Sequence, residues 1–197
     1  MISIGLHEFL GGLAVFIGLV EYCIYLRSIM RGEAKPHAIT WGIWGIMMAI
    51  VFFAQLLEGG GAGSWLTAVS ALFTIAFFSF SLTASSRQYI TRTDWWMLGG
   101  ALLAVVPWIL TDNPLWSVIL ITLMDACAYG PTVRKAFYHP HTEPAISFGL
   151  ASLKWLPAIF ALSTISLTTA LYPVFLMLAN GSMTIMLLMR RKQLRYG

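Results

Sequence analysis

Charged residues make up only 10% of this 197-residue chain. A soluble domain averages about 25%, so an ordinary soluble domain and a disordered chain are both excluded. The net charge of +4 is spread too thinly to build the basic face of a nucleic-acid reader, and no nucleic-acid partner is expected. Cysteine is almost missing too. Cys23 and Cys127 both lie in apolar stretches, which argues against a disulfide framework. No nucleophile stands beside a base, no glycine-rich phosphate loop occurs and no carboxylates are paired, so the chain is not read as an enzyme. His139-Pro140-His141 has no cysteine nearby, so neither a metal nor a cofactor is expected. The first apolar run lacks a preceding basic segment and a small-residue cleavage site, and is read as a retained span.

What is present is hydrocarbon: 58% of the residues are hydrophobic. Crossing a bilayer core about 30 Å thick takes roughly 20 helical residues. Long apolar runs separated by short polar breaks predict seven spans, at about 8–26, 37–57, 64–84, 93–111, 114–133, 144–165 and 168–189. The runs are continuous rather than alternating, which excludes a barrel. The expected class is an all-α, multi-pass integral membrane protein with almost nothing outside the bilayer.

The basic residues orient it. Arg27, Arg31 and Lys35 follow span 1, Arg87 and Arg92 span 3, Arg134 and Lys135 span 5, and Arg190, Arg191, Lys192 and Arg195 span 7. Eleven of the twelve basic residues thus fall on one side, which the positive-inside rule makes cytoplasmic. The N-terminus is then outside and the C-terminus cytoplasmic. Trp65, Trp108 and Trp116 fall near outer span ends and Trp95 and Trp96 near an inner one, whereas Trp155 falls in the middle of span 6.

A shift of 107 residues superposes two segments without a gap. Tyr22 falls on Tyr129, Arg27 on Arg134, Ala38 on Ala145, Ile39 on Ile146, Thr40 on Ser147, Trp41 on Phe148 and Gly42 on Gly149. This predicts two three-helix repeats, residues 1–92 and 114–197, joined by a connector helix at 93–113. A single connecting span makes the repeats parallel, about an axis along the membrane normal, a plan used by transporters with a solute site near midplane.

The second copy reads YGPTVRKAFYHPHTEPAISFGL. It resembles the loop signature of the SWEET and PQ-loop superfamily of 3+1+3 transporters. Pro131 takes the proline position, Arg134 and Lys135 the basic stretch, and Thr142, Glu143 and Ser147 the entry to the next helix. Thr132 stands where the signature has glutamine, and Ile24-Tyr25 stand at that place in the first copy. The resemblance implies alternating access to a small solute. It makes Pro131 a hinge, and Asn180 and Trp155 the counterparts of a solute-holding asparagine and aromatic. It does not carry over a substrate class.

Three charged residues lie within spans: Glu21, Asp125 and Lys154. Such residues are costly in hydrocarbon, face the interior and mark pathways or pairs. Counted from the basic end at about 1.5 Å per residue, Asp125, Lys154 and Asn180 are each roughly 13–15 Å deep. An Asp125–Lys154 pair is expected, either locking spans 5 and 6 together or also lining a solute path. Their counterparts Gly18, Met47 and Phe73 are not ionisable, so the polar side of a cavity would belong mainly to the second repeat. Glu21 is shallower, about 9 Å in, and is expected to snorkel or pair with Arg27. Trp41 and its repeat partner Phe148 are gate candidates, and Pro157 joins Pro131 as a hinge candidate. The expected function is small-solute transport, with Asp125 as proton carrier or with no coupling at all. The alternative is a receptor or scaffold of the same fold that binds without transporting. The expected partners are the solute and the lipid bilayer; the oligomeric state and the particular membrane stay open.

Overall fold

The computed structural model describes residues 2–31, 38–82, 95–96, 99, 103, 105–138, 140 and 145–196, with side chains at some helical positions, Pro131 among them, outside that description. The described residues form helices and the short connections between them, with no strand among them. The helices are α1 (Ile2–Met30), α2 (Ala38–Leu57), α3 (Trp65–Ser81), α4 (Val105–Thr111), α5 (Leu115–Tyr138), α6 (Ala145–Leu153), α7 (Trp155–Phe160) and α8 (Leu167–Tyr196), with a 3-10 turn at Gly61–Ser64.

Three stretches, Gly5–Arg27, Gly61–Ser81 and Leu167–Leu194, are long and apolar enough to cross a membrane. Trp41–Leu57, Leu115–Ala126 and Ala145–Phe160 are shorter apolar helices. Of the seven expected spans, then, three meet the length and composition requirement among the described residues. The expected fourth span is described only in part, at residues 95–96, 99 and 103 and in α4. Leu6, Phe9, Phe16, Leu72, Ile75, Leu178 and Ile185 are all exposed. Soluble monomers rarely present contiguous apolar surface of this kind, and these long apolar helices are compatible with a bilayer setting.

The helices depart from the expected boundaries in instructive ways. The last expected span continues through the basic tail to Tyr196, because the tail residues are helix formers and carry no breaker. The expected span 144–165 is broken at Lys154, which separates α6 from α7. Pro157, three residues on, has no N–H to offer the carbonyl of Leu153. Between α4 and α5, Asp112 adopts φ 51° and the Asn113 side chain accepts the Leu115 N–H at 3.0 Å. Pro114 occupies the first-turn position where a missing N–H costs nothing.

Two groups of three share one order of packing. In the first, α3 lies against both α2 and α1; in the second, α8 lies against both α6–α7 and α5. The groups meet reciprocally: α1 packs on α6 and α7, while α5 packs on α2. The lesser contacts are exchanged the same way, α2 with α8 and α7 with α3. At one end the 58–64 connection is clamped to the 161–166 connection. The Ser163 N–H donates to the Gly60 carbonyl at 3.2 Å, and a Cβ on Gly63 would fall 2.6 Å from the Leu162 nitrogen, so only glycine fits there. At the other end Arg190 and Arg191 donate through Nε to the carbonyls of Phe137 and Pro140 at 3.0 and 2.9 Å. The core between the groups is built of Ala14, Met47, Val51, Leu66, Val118, Ile121, Trp155 and Tyr172.

Candidate functional site

Each seam between the two groups encloses an acidic side chain. In the α1 seam, Lys154 Nζ stands 2.6 Å from Glu21 Oε2, the two side chains 6% and 19% exposed. The contact is a short ion pair. The ammonium also donates to the Tyr22 hydroxyl at 3.2 Å, lies 4.4 Å from the centre of the Tyr22 ring and 5.7 Å from that of Trp155. Tyr22 in turn stacks on Phe73, centroids 4.7 Å apart and planes 10° apart. A Cβ on Gly18 would fall 2.8 Å from Leu66 Cδ1, so the glycine lets this α3 leucine pack close against α1, while the Lys154 Cδ lies at ordinary contact distance, 3.7 Å.

The expected partners of these charges are therefore corrected. Lys154 pairs with Glu21 and not with Asp125, and Glu21 pairs with Lys154 and not with Arg27. The reason is geometric. Asp125 is on α5, which faces α2, on the opposite seam from α6–α7. Glu21 sits about 4–5 Å nearer the basic end than Lys154 by residue count, a difference that the lysine's long stem spans.

In the α5 seam Asp125 is 5% exposed. The Tyr172 hydroxyl donates to its Oδ2 at 3.0 Å, and the Trp44 indole is a second hydrogen-bond neighbour from across the seam. Tyr172 is fully buried and lies against Phe175, centroids 6.4 Å apart. Among the described residues no cation forms an ion pair with Asp125. Asn180 is half-buried; its Oδ1 accepts from the Tyr129 hydroxyl at 3.3 Å and its Nδ2 donates to the Leu176 carbonyl at 2.7 Å. The repeat-matched tyrosines 22 and 129 thus each hold a polar residue of the second group.

Trp155 is buried beside Lys154. Trp41 belongs to an aromatic cluster with Tyr25, Trp44 and Phe77, at centroid distances of 5.0, 5.3 and 4.9 Å. Phe148 packs in a separate cluster with Ala136, Ala145, Met183 and Leu187. Pro157 is buried in α7, just past the break at Lys154. Pro131 falls within α5, its side chain outside the described residues. His139 and His141 also lie outside them, and the described residues contain no cluster of three or more metal-ligating side chains.

Sequence reasoning missed Trp44 and Tyr172 as partners of Asp125, and Tyr22 as a partner of Lys154. The signal was available: a tyrosine in an apolar stretch needs a partner for its hydroxyl when buried. The polarity of the interface is shared by both groups, since Glu21, Tyr22 and Trp44 come from the first. Compared with family models, with curated proteins and with solved structures, the chain matches none.

Proposed function

We propose that this protein is a seven-span transporter of a small solute, working by alternating access between two parallel three-helix repeats, with the N-terminus outside and the C-terminus cytoplasmic. The reading is carried by one observation, the reciprocal packing of the two groups, in which α1 meets α6–α7 as α5 meets α2. Two parallel repeats about a twofold axis along the membrane normal would exchange these contacts, and such an axis suits rocking of one repeat against the other about a midplane site. The two buried charged side chains, Asp125 and Lys154, stand one on each seam. The residues proposed to line the path are Asp125, Trp44 and Tyr172 in the α5 seam, with Asn180 and Tyr129 below them. Trp41 and Phe148 would close the cytoplasmic side, and Pro131 and Pro157 would give the repeat its bend. Glu21 and Lys154 hold the opposite seam.

Asp125 is the group proposed to carry a proton. It is an ionisable side chain in the interior with a hydroxyl donor and no described cation, so its charge is free to change without stranding a partner. Asp125→Asn keeps the size and much of the hydrogen bonding but cannot take up a proton. In proteoliposomes it should abolish accumulation driven by an inward proton gradient and spare exchange between compartments of equal pH. A natural chain whose uptake ignores the gradient would remove the proton role and leave a facilitator. Solute that binds and never crosses would make the protein a receptor. The orientation is tested by cysteines at Asn113 and Ser163, which should react from outside, and at Lys192, which should react only after permeabilisation.

A further inference from the structure

The last turns of α8 carry a groove unrelated to either seam. Its walls are Ser182, Ile185, Met186, Met189, Arg190 and Gln193, closed on one side by Phe137 at the end of α5, and it encloses about 460 Å³. The α8 residues recur at spacings of three and four, so they form one stripe along the helix. From Ser182 to Gln193 the stripe is about 16 Å long, roughly the depth of one leaflet of hydrocarbon. Its chemistry is graded. The deep end is apolar in effect, because Ser182 Oγ already donates to the Ala179 carbonyl at 2.9 Å. Ile185 and Met189 are exposed in the middle. The polar lip is Arg190 and Gln193.

Arg190 is held in place. Its Cζ lies 4.3 Å from the Phe137 ring centre, Nε donates to the Phe137 carbonyl at 3.0 Å and Nη1 to Gln193 Oε1 at 2.7 Å. The second terminal nitrogen, Nη2, makes no hydrogen bond among the described residues. No acidic side chain lines the groove. A guanidinium fixed at the mouth of an apolar slot one leaflet deep has the complement of a lipid phosphate above its acyl chain, and its immobilisation is already complete before the ligand arrives.

We propose that this groove binds one anionic phospholipid, with its phosphate on Arg190 and an acyl chain along Met189, Ile185 and Ser182. It requires α8 to cross the bilayer, as its length and composition allow, and is independent of whether the protein transports anything. The test is native mass spectrometry of the full chain in detergent, titrated with phosphatidylglycerol or phosphatidylcholine. The natural chain should retain one phosphatidylglycerol in preference to phosphatidylcholine. Arg190→Gln should weaken that binding about fivefold, the contribution of one basic residue at an anionic surface. Ile185→Trp, which fills the slot and leaves Arg190 in place, should abolish the preference, and it decides the matter should Arg190→Gln fail to fold. Equal binding of the two lipids would overturn the proposal. So would inorganic phosphate displacing the lipid completely while Ile185→Trp has no effect, which would make this a site for the free anion.

Discussion

The α1 seam and the α5 seam occupy equivalent places between the two groups, yet their acids are treated differently. Glu21 is matched by Lys154 at 2.6 Å, and the Lys154 ammonium lies over the Tyr22 ring. Asp125 has a hydroxyl and an indole around it and no described cation. The first arrangement is self-contained: a buried pair holds its geometry because breaking it strands a charge in low dielectric. The second has hydrogen-bond donors but no counter-charge among the described residues. One seam therefore carries a matched ion pair and the other an acid without one among the described residues.

The sharpest way to break this comparison is Lys154→Ala. It leaves Glu21 buried without its cation and should cost about 3–5 kcal/mol, read as loss of thermal stability in detergent. Adding Glu21→Ala should recover part of that loss, whereas adding Asp125→Ala should give a simple sum. Coupling to Asp125 instead of Glu21 would restore the pairing that the sequence alone suggests. Tyr172→Phe removes the hydroxyl that donates to a buried carboxylate, so about 1.5–3 kcal/mol is expected. Asp125→Asn strands no cation and should cost only about 1 kcal/mol, from one poorly satisfied amide group; a loss as large as that of Lys154→Ala would mean that Asp125 is paired after all. The smallest effect belongs to Tyr22→Phe. It deletes a 3.2 Å hydrogen bond but keeps the stack on Phe73 and the face offered to Lys154, so about 0.5–1 kcal/mol should suffice.

Much of the architecture was legible because it rests on local rules. Apolar runs name helices, and α1, α3 and α8 fall where hydropathy expects them. The break at Lys154 was not foreseen, although Pro157 was singled out. A proline marks where a hydrogen bond is lost, not whether its neighbours will let the helix continue. Asp125 and Lys154 were read as facing the interior, and both are buried. Their partners were misread because depth counted along separate helices says nothing about which helices face each other. Asp125 and Lys154 share a depth and stand on different seams.

By itself, the sequence determined an all-helical, hydrocarbon-rich chain with Glu21, Asp125 and Lys154 set within its apolar stretches. Composition and periodicity decide these properties because each depends on the solvent met by a single segment. Only the tertiary structure decided that Glu21 would neutralise Lys154, that Tyr172 and Trp44 would attend Asp125, and that Phe137 would fix Arg190 beside an apolar groove. Each of those outcomes depends on which faces two distant helices turn toward one another. That choice is made by side-chain volume, such as the space Gly18 leaves for Leu66 and Gly63 for the Leu162 backbone, and no one-dimensional pattern records it.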